Sequence, residues 1–117
     1  MLLKEELDLN VLPFGLLELD DHGTILYYRP DEKEDQRVKG LDLVGHNLLT
    51  DVAPIAQAKE FQDRLRNFHR SYAPADSFHH TFESGDSSVQ AKVLLAHIRE
   101  QSDAGTADSI LVHIRKA

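Results

Sequence analysis

Cysteine is absent from this 117-residue chain. No disulfide, thiolate metal site or cysteine nucleophile is therefore open to it. Long apolar runs are missing too, the longest being far short of the ~20 residues that span a bilayer. The opening Met1-Leu2-Leu3-Lys4-Glu5-Glu6 is too acidic and too briefly apolar for a secretory signal. A cytoplasmic location is the expectation. Positive charge is scarce: 13 Lys and Arg stand against 20 Asp and Glu, a formal net charge of −7. Nucleic acids and anionic membrane surfaces both select basic proteins, so neither is an expected partner. No glycine-rich phosphate loop, G-x-S-x-G elbow or H-E-x-x-H pair occurs, which leaves no enzyme class indicated.

What is present suffices for one domain. Hydrophobic residues make up 41% of the chain, which sets it apart from disordered sequences, and the length supports one core. Residues 1–11 read as a helical lead-in, with Leu2, Leu3 and Leu7 on one side. Residues 12–117 form the domain. Apolar stretches at 14–19 and 24–28 flank Asp20-Asp21-His22-Gly23, a pattern that predicts a β-hairpin. Residues 29–39 are charged and interrupted by Pro30, so loop or short helical turns are expected there, with further short turns over 41–51.

Residues 56–72 are the longest helical candidate. Phe61, Leu65, Phe68, His69 and Tyr72 recur at spacings of three and four, which places them on one inward face. Ala73-Pro74 stops the helix. Strands are expected at 77–83, 89–99 and 109–115, separated by Ser84-Gly85-Asp86-Ser87-Ser88 and by the polar stretch 101–108. In the last strand Ile110, Val112 and Ile114 alternate with Leu111, His113 and Arg115, as one covered face requires. Two strands, helices, then three strands make an α+β domain, an antiparallel sheet with helices on one face.

Several short motifs in one register carry a resemblance. Gly45-His46-Asn47-Leu48-Leu49-Thr50-Asp51-Val52-Ala53-Pro54-Ile55 is similar to the GKNFFKDVAPC segment of the photoactive yellow protein family. The stretch from Leu12 through Phe14 to Asp20 resembles that family's LAFGAIQLD, and Gly23-Thr24-Ile25-Leu26-Tyr27-Tyr28 resembles its GNILQY. Phe78 with Thr81-Phe82 resembles its FEYTF stretch, and residues 112–116 its closing strand. The register holds without insertion from about Leu12 to Glu83. The resemblance implies a PAS fold, a five-stranded antiparallel sheet with helices covering one face. It also implies a sensory role in signal transduction, a partner protein or small-molecule ligand, and the homodimer common among PAS domains.

Residue by residue, the likeness puts the family's chromophore-bonding tyrosine and glutamic acid at Tyr28 and Glu32. Its chromophore-bearing cysteine falls at Ile55, where no thioester can form, so no covalent chromophore is expected. Gln36, Val38, Ser84 and Asp86 depart from the family pattern around the pocket, whereas Phe82 keeps an aromatic wall. Tyr28 and Glu32 read as a pair facing a ligand pocket, or Glu32 belongs to the solvated run Asp31-Glu32-Lys33-Glu34-Asp35. His69, expected inward, is a candidate axial ligand for heme, as in heme-binding PAS sensors. The alternative is a structural histidine at the helix end. His79 and His80 are adjacent on a strand and point to opposite faces. His80, sharing a face with Phe78 and Phe82, is the one expected to approach a ligand.

Overall fold

The computed structural model describes residues 11–31, 43–84, 86–102 and 105–117. Five strands form one antiparallel sheet: β1 Gly15–Leu19, β2 Ile25–Pro30, β3 Ala75–Ser84, β4 Ser87–Ser102 and β5 Gly105–Lys116. Their spatial order is β2-β1-β5-β4-β3. Among the described residues, two helices lie between β2 and β3, α1 Ala53–Ala56 and α2 Lys59–Arg70. The lead-in leucines Leu2, Leu3 and Leu7, and Glu32, Gln36 and Val38, lie outside the described residues.

The first hairpin forms because Asp20 organises its turn. Its Oδ1 accepts the backbone N–H of His22 at 2.8 Å and of Thr24 at 2.9 Å. Gly23 follows with φ at 92°, the left-handed region that glycine enters without steric cost. β2 is an edge strand, so Pro30 at its end interrupts no ladder on its outer side. Gly15, paired with Pro30, allows β1 and β2 to approach closely; a Cβ there would run into the Arg29 carbonyl.

Alternation sorts the sheet into two faces. Leu17 and Leu19 of β1, Ile110, Val112 and Ile114 of β5, Ala91, Val93 and Leu95 of β4, and Phe78 and Phe82 of β3 are buried on the inner face. Ile55, Phe61, Leu65 and Phe68 from the helices, with Leu43, Leu48 and Val52, complete one core. No polar side chain is buried among the described residues. The outer face carries Leu16, Tyr27, Leu94 and Leu111, of which Tyr27 is 45% and Leu94 46% exposed.

Four expectations need correction. The helix expected over 56–72 runs only from Lys59 to Arg70, because the separate short helix α1, with Pro54 in its first turn, ends at Ala56 and the chain restarts after Gln57 and Ala58. His69 does not face inward but is exposed. At about 100° per residue, Phe61, Leu65 and Phe68 span a narrow arc, and His69 falls roughly 70° off its centre. Tyr72 is 98% exposed because α2 ends at Arg70 and Ser71 is already extended, with φ −88° and ψ 168°. Finally, 101–108 is no simple connector. β4 and β5 stay paired out to Ser102↔Gly105, so two-stranded ribbon replaces the expected loop.

Candidate functional site

Position 55, where the resemblance puts the pigment-bearing residue, has a wholly buried side chain. Pro54 in the first turn of α1 sets the backbone there. Gln62 of α2 then holds it: its Nε2 lies 3.0 Å from the Ile55 carbonyl, 3.1 Å from that of Ala56 and 3.1 Å from that of Leu49. The carbonyls at the α1 end are thus served by a neighbouring side chain rather than by solvent. This anchoring role of Gln62 was not legible in the sequence, where the residue reads as an ordinary polar position on a helix.

Aromatic rings pack in the same core. Phe61 lies 5.6 Å from Phe82 and 6.0 Å from Phe78, centroid to centroid, in tilted contacts. His80 lies on the inner face between Phe78 and Phe82, while His79 is exposed on the outer face. The His80 ring stands edge-on to Phe82 at 4.5 Å and to Phe61 at 5.9 Å. Burial disfavours its protonated form and holds its pKa below the ordinary 6.5, with the Glu60 carboxylate opposing. Arg64 closes this end, its guanidinium 4.2 Å from the Phe78 ring centre.

Tyr28 lies on the inner side of β2, opposite Leu17, and packs against the core. Its hydroxyl donates to the Phe14 carbonyl at 2.9 Å. Glu32, its expected companion, falls outside the described residues. Ser84 and Asp86 flank the β3–β4 hairpin turn, where Ser84 pairs with Ser87 and Asp86 is exposed.

His69 stands apart from these groups. It lines two open grooves on either side of the α2 end, of about 360 and 350 Å³. Ile55, Tyr28, His80 and Phe82 line neither. The histidine that does engage the core end is His97, whose ring stacks on Phe68 at 4.2 Å and 13°. Its Nδ1 lies 2.7 Å from the Ala73 carbonyl, so that nitrogen carries the proton and donates. The signal was in the alternation: His97 continues the inner series Ala91, Val93, Leu95.

Among the described residues, no three His, Asp or Glu side chains converge as a metal site. No helix there is long and apolar enough to cross a membrane.

These features find relatives. The chain is 30% identical over 103 residues to the photoactive yellow protein of Cereibacter sphaeroides, covering 88% of this chain and 81% of the relative. It belongs to the photoactive yellow protein family. Relatives of the same name from Halochromatium salexigens (31% over 86 residues, 74% of this chain and 69% of the relative) and Rhodothalassium salexigens (30% over 105 residues, 90% and 79%) agree. No protein-family profile matches the chain.

Among solved structures, the photoactive yellow protein domain of the sensor histidine kinase Ppr from Rhodospirillum centenum superposes with a TM-score of 0.61. It shares 23% identity, with 92% of this chain and 89% of that one covered. The PAS domain of BvgS from Bordetella pertussis superposes at 0.59, with 13% identity and 93% and 80% coverage. Both likenesses establish the PAS fold. Within the family, this chain has isoleucine at position 55 and no thiol to anchor a pigment by thioester.

Proposed function

We propose that this domain is a PAS-type sensory or interaction module that works without a covalently held pigment. The observation that carries this reading is Ile55, fully buried in one core with Phe61, Phe82 and Leu95. A tether position has become a packing position. Signalling then runs through packing between the helical layer and the sheet, biased by a non-covalent ligand or a bound protein, and reaches its output through a partner. In this reading the protein works in the cytoplasm as a homodimer, supported by exposed Tyr27 and Leu94 on the sheet face that the helices leave uncovered.

Absorbance of the purified protein tests it. A colourless protein, unchanged in the visible range after incubation with heme, is the expected result. A Soret band that His69→Ala weakens would replace this reading with a heme protein. A visible band in the protein as isolated would replace it with a pigment-bearing sensor.

A further inference from the structure

Among the described residues, no strand pairs with the far end of β4 on the side away from β5. β3 reaches β4 only as far as Ala75↔Ala96, with one more bond from the His97 N–H to the Pro74 carbonyl at 3.1 Å. The chain preceding Pro74 turns away toward α2. β4 nevertheless continues to Ser102, paired on its other side with β5. Because His97 points its N–H toward β3, alternation turns the N–H and C=O of Arg99 and Gln101 the same way. No described strand meets them there. The N–H and C=O of Ile98 and Glu100 point toward β5 instead.

An unpaired edge is a template for another strand, and proteins commonly blunt it with proline, bulges or covering segments. Here the open stretch borders a groove of about 350 Å³, lined by Tyr72, Pro74, His97, Ile98, Arg99 and Asp108. The groove also takes in His69 and Arg70 from the end of α2. Its charge runs against that of the acidic chain: Arg70 and Arg99 face one carboxylate, Asp108, which Arg99 already engages at 3.1 Å. Tyr72 stands 98% exposed at its wall, an aromatic of the kind that anchors protein interfaces.

A second copy of the chain fits this edge poorly. A second copy brings the same Arg99 to the edge, and the register centred on it sets like charges directly opposite, which destabilises a strand pair.

We propose that the β4 edge beyond Ala96 takes up an extended, acidic segment of a partner protein as an added strand. Main-chain bonds to Arg99 and Gln101 supply affinity, an acidic residue opposite Arg99 and Arg70 supplies selectivity, and an apolar residue packs on Tyr72. The inference rests on the reading that output passes to a partner protein, and it names that partner's binding mode.

The test is amide hydrogen exchange by NMR on the full chain. In the free protein, Arg99 and Gln101 should exchange fast while Ile98 and Glu100 are protected. The probe is a synthetic capped peptide, Thr-Val-Asp-Val-Glu-Val-Thr. It should slow exchange at Arg99 and Gln101 and bind with a Kd of about 0.1–1 mM, as a few main-chain bonds allow. Arg99→Glu and, separately, Arg70→Glu should each weaken it by about tenfold. An analogue N-methylated at alternate amides, or one with lysine for both acids, should not bind. Slow exchange at Arg99 and Gln101 in the free protein would overturn the proposal, as would equal binding of the N-methylated or lysine peptide. So would unchanged affinity in both charge-reversed variants. A coloured protein would refute the pigment-free reading while leaving these exchange rates to decide the edge on their own.

Discussion

Placing a thiol at position 55 is the sharpest test of what that position does. Ile55→Cys replaces a wholly buried four-carbon side chain with a shorter, thinner one. The lost apolar volume amounts to about two methylene groups, or roughly 1.6 kcal/mol of transfer free energy at ~0.8 kcal/mol each. The void left behind adds a further share, so a total of about 2–3 kcal/mol is expected. For a domain of this size that corresponds to a fall in Tm of roughly 8–15 °C. The variant should still fold, since the Gln62 contacts to the Ile55, Ala56 and Leu49 carbonyls involve no atom of the altered side chain.

Chemistry at the new thiol then separates a packed core from a vacant pocket. In a packed core the sulfur is reached only when the domain opens. Its reaction with an aromatic disulfide reagent should therefore follow the opening equilibrium and speed up with sub-denaturing urea. An activated ester of coumaric acid should leave the native I55C protein colourless. Urea unfolding followed by circular dichroism gives the stability, and absorbance gives the adduct. A stoichiometric yellow adduct formed under native conditions, with little loss of stability, would refute the reasoning. It would mean that a ligand-sized space lies beside position 55.

The remaining predictions concern the groups around that core. His80 has a folded pKa below its ordinary 6.5, so the unfolded chain binds the proton more readily. Its contribution to stability is therefore full at neutral pH and is lost as pH falls below about 6.5 through the lower folded value. His80→Phe should flatten the slope of stability against pH between about 5 and 7, as urea midpoints across that range would show. Equal slopes would remove His80 as the source. Gln62→Ala takes a donor from the carbonyls of Leu49, Ile55 and Ala56 and should cost about 1–2 kcal/mol in the same assay. A cost within error of zero would show that water replaces the amide.

The legibility of this chain depended on how local each determinant is. The β1–β2 hairpin could be read because Asp20 and Gly23 set their own turn within a few residues. The inner faces of β4 and β5 followed from strict alternation, which any register preserves. The inward face of α2 was only partly readable. Period alone placed Tyr72 beside Phe61 and Phe68, but the helix stops at Arg70 and releases it to solvent. The expected break at 101–108 failed for a related reason. Polar composition suggests a loop, yet two strands paired over their whole length can leave a core behind and continue as a ribbon. Gln62 escaped notice because its partners are carbonyls, and a carbonyl has no residue identity to detect.

The candidate sites divide along the same line, and their contacts join up. Ile55 lies on α1, whose end is held by Gln62 of α2. α2 carries Phe68 near its other end, stacked on His97. His97 is the last β4 residue bonded toward β3, directly before the open edge at Arg99. Position 55 and the β4–β5 ribbon are thus linked through one helix and two stacked rings. Contiguity is not coupling, which requires two discrete arrangements that both ends bias. The contacts do define where such arrangements would differ. A helix held by Gln62 at one end and by the Phe68–His97 stack at the other moves as a unit or not at all. A packing change at position 55 that shifts α2 along the sheet would be felt at the edge through the Phe68–His97 stack.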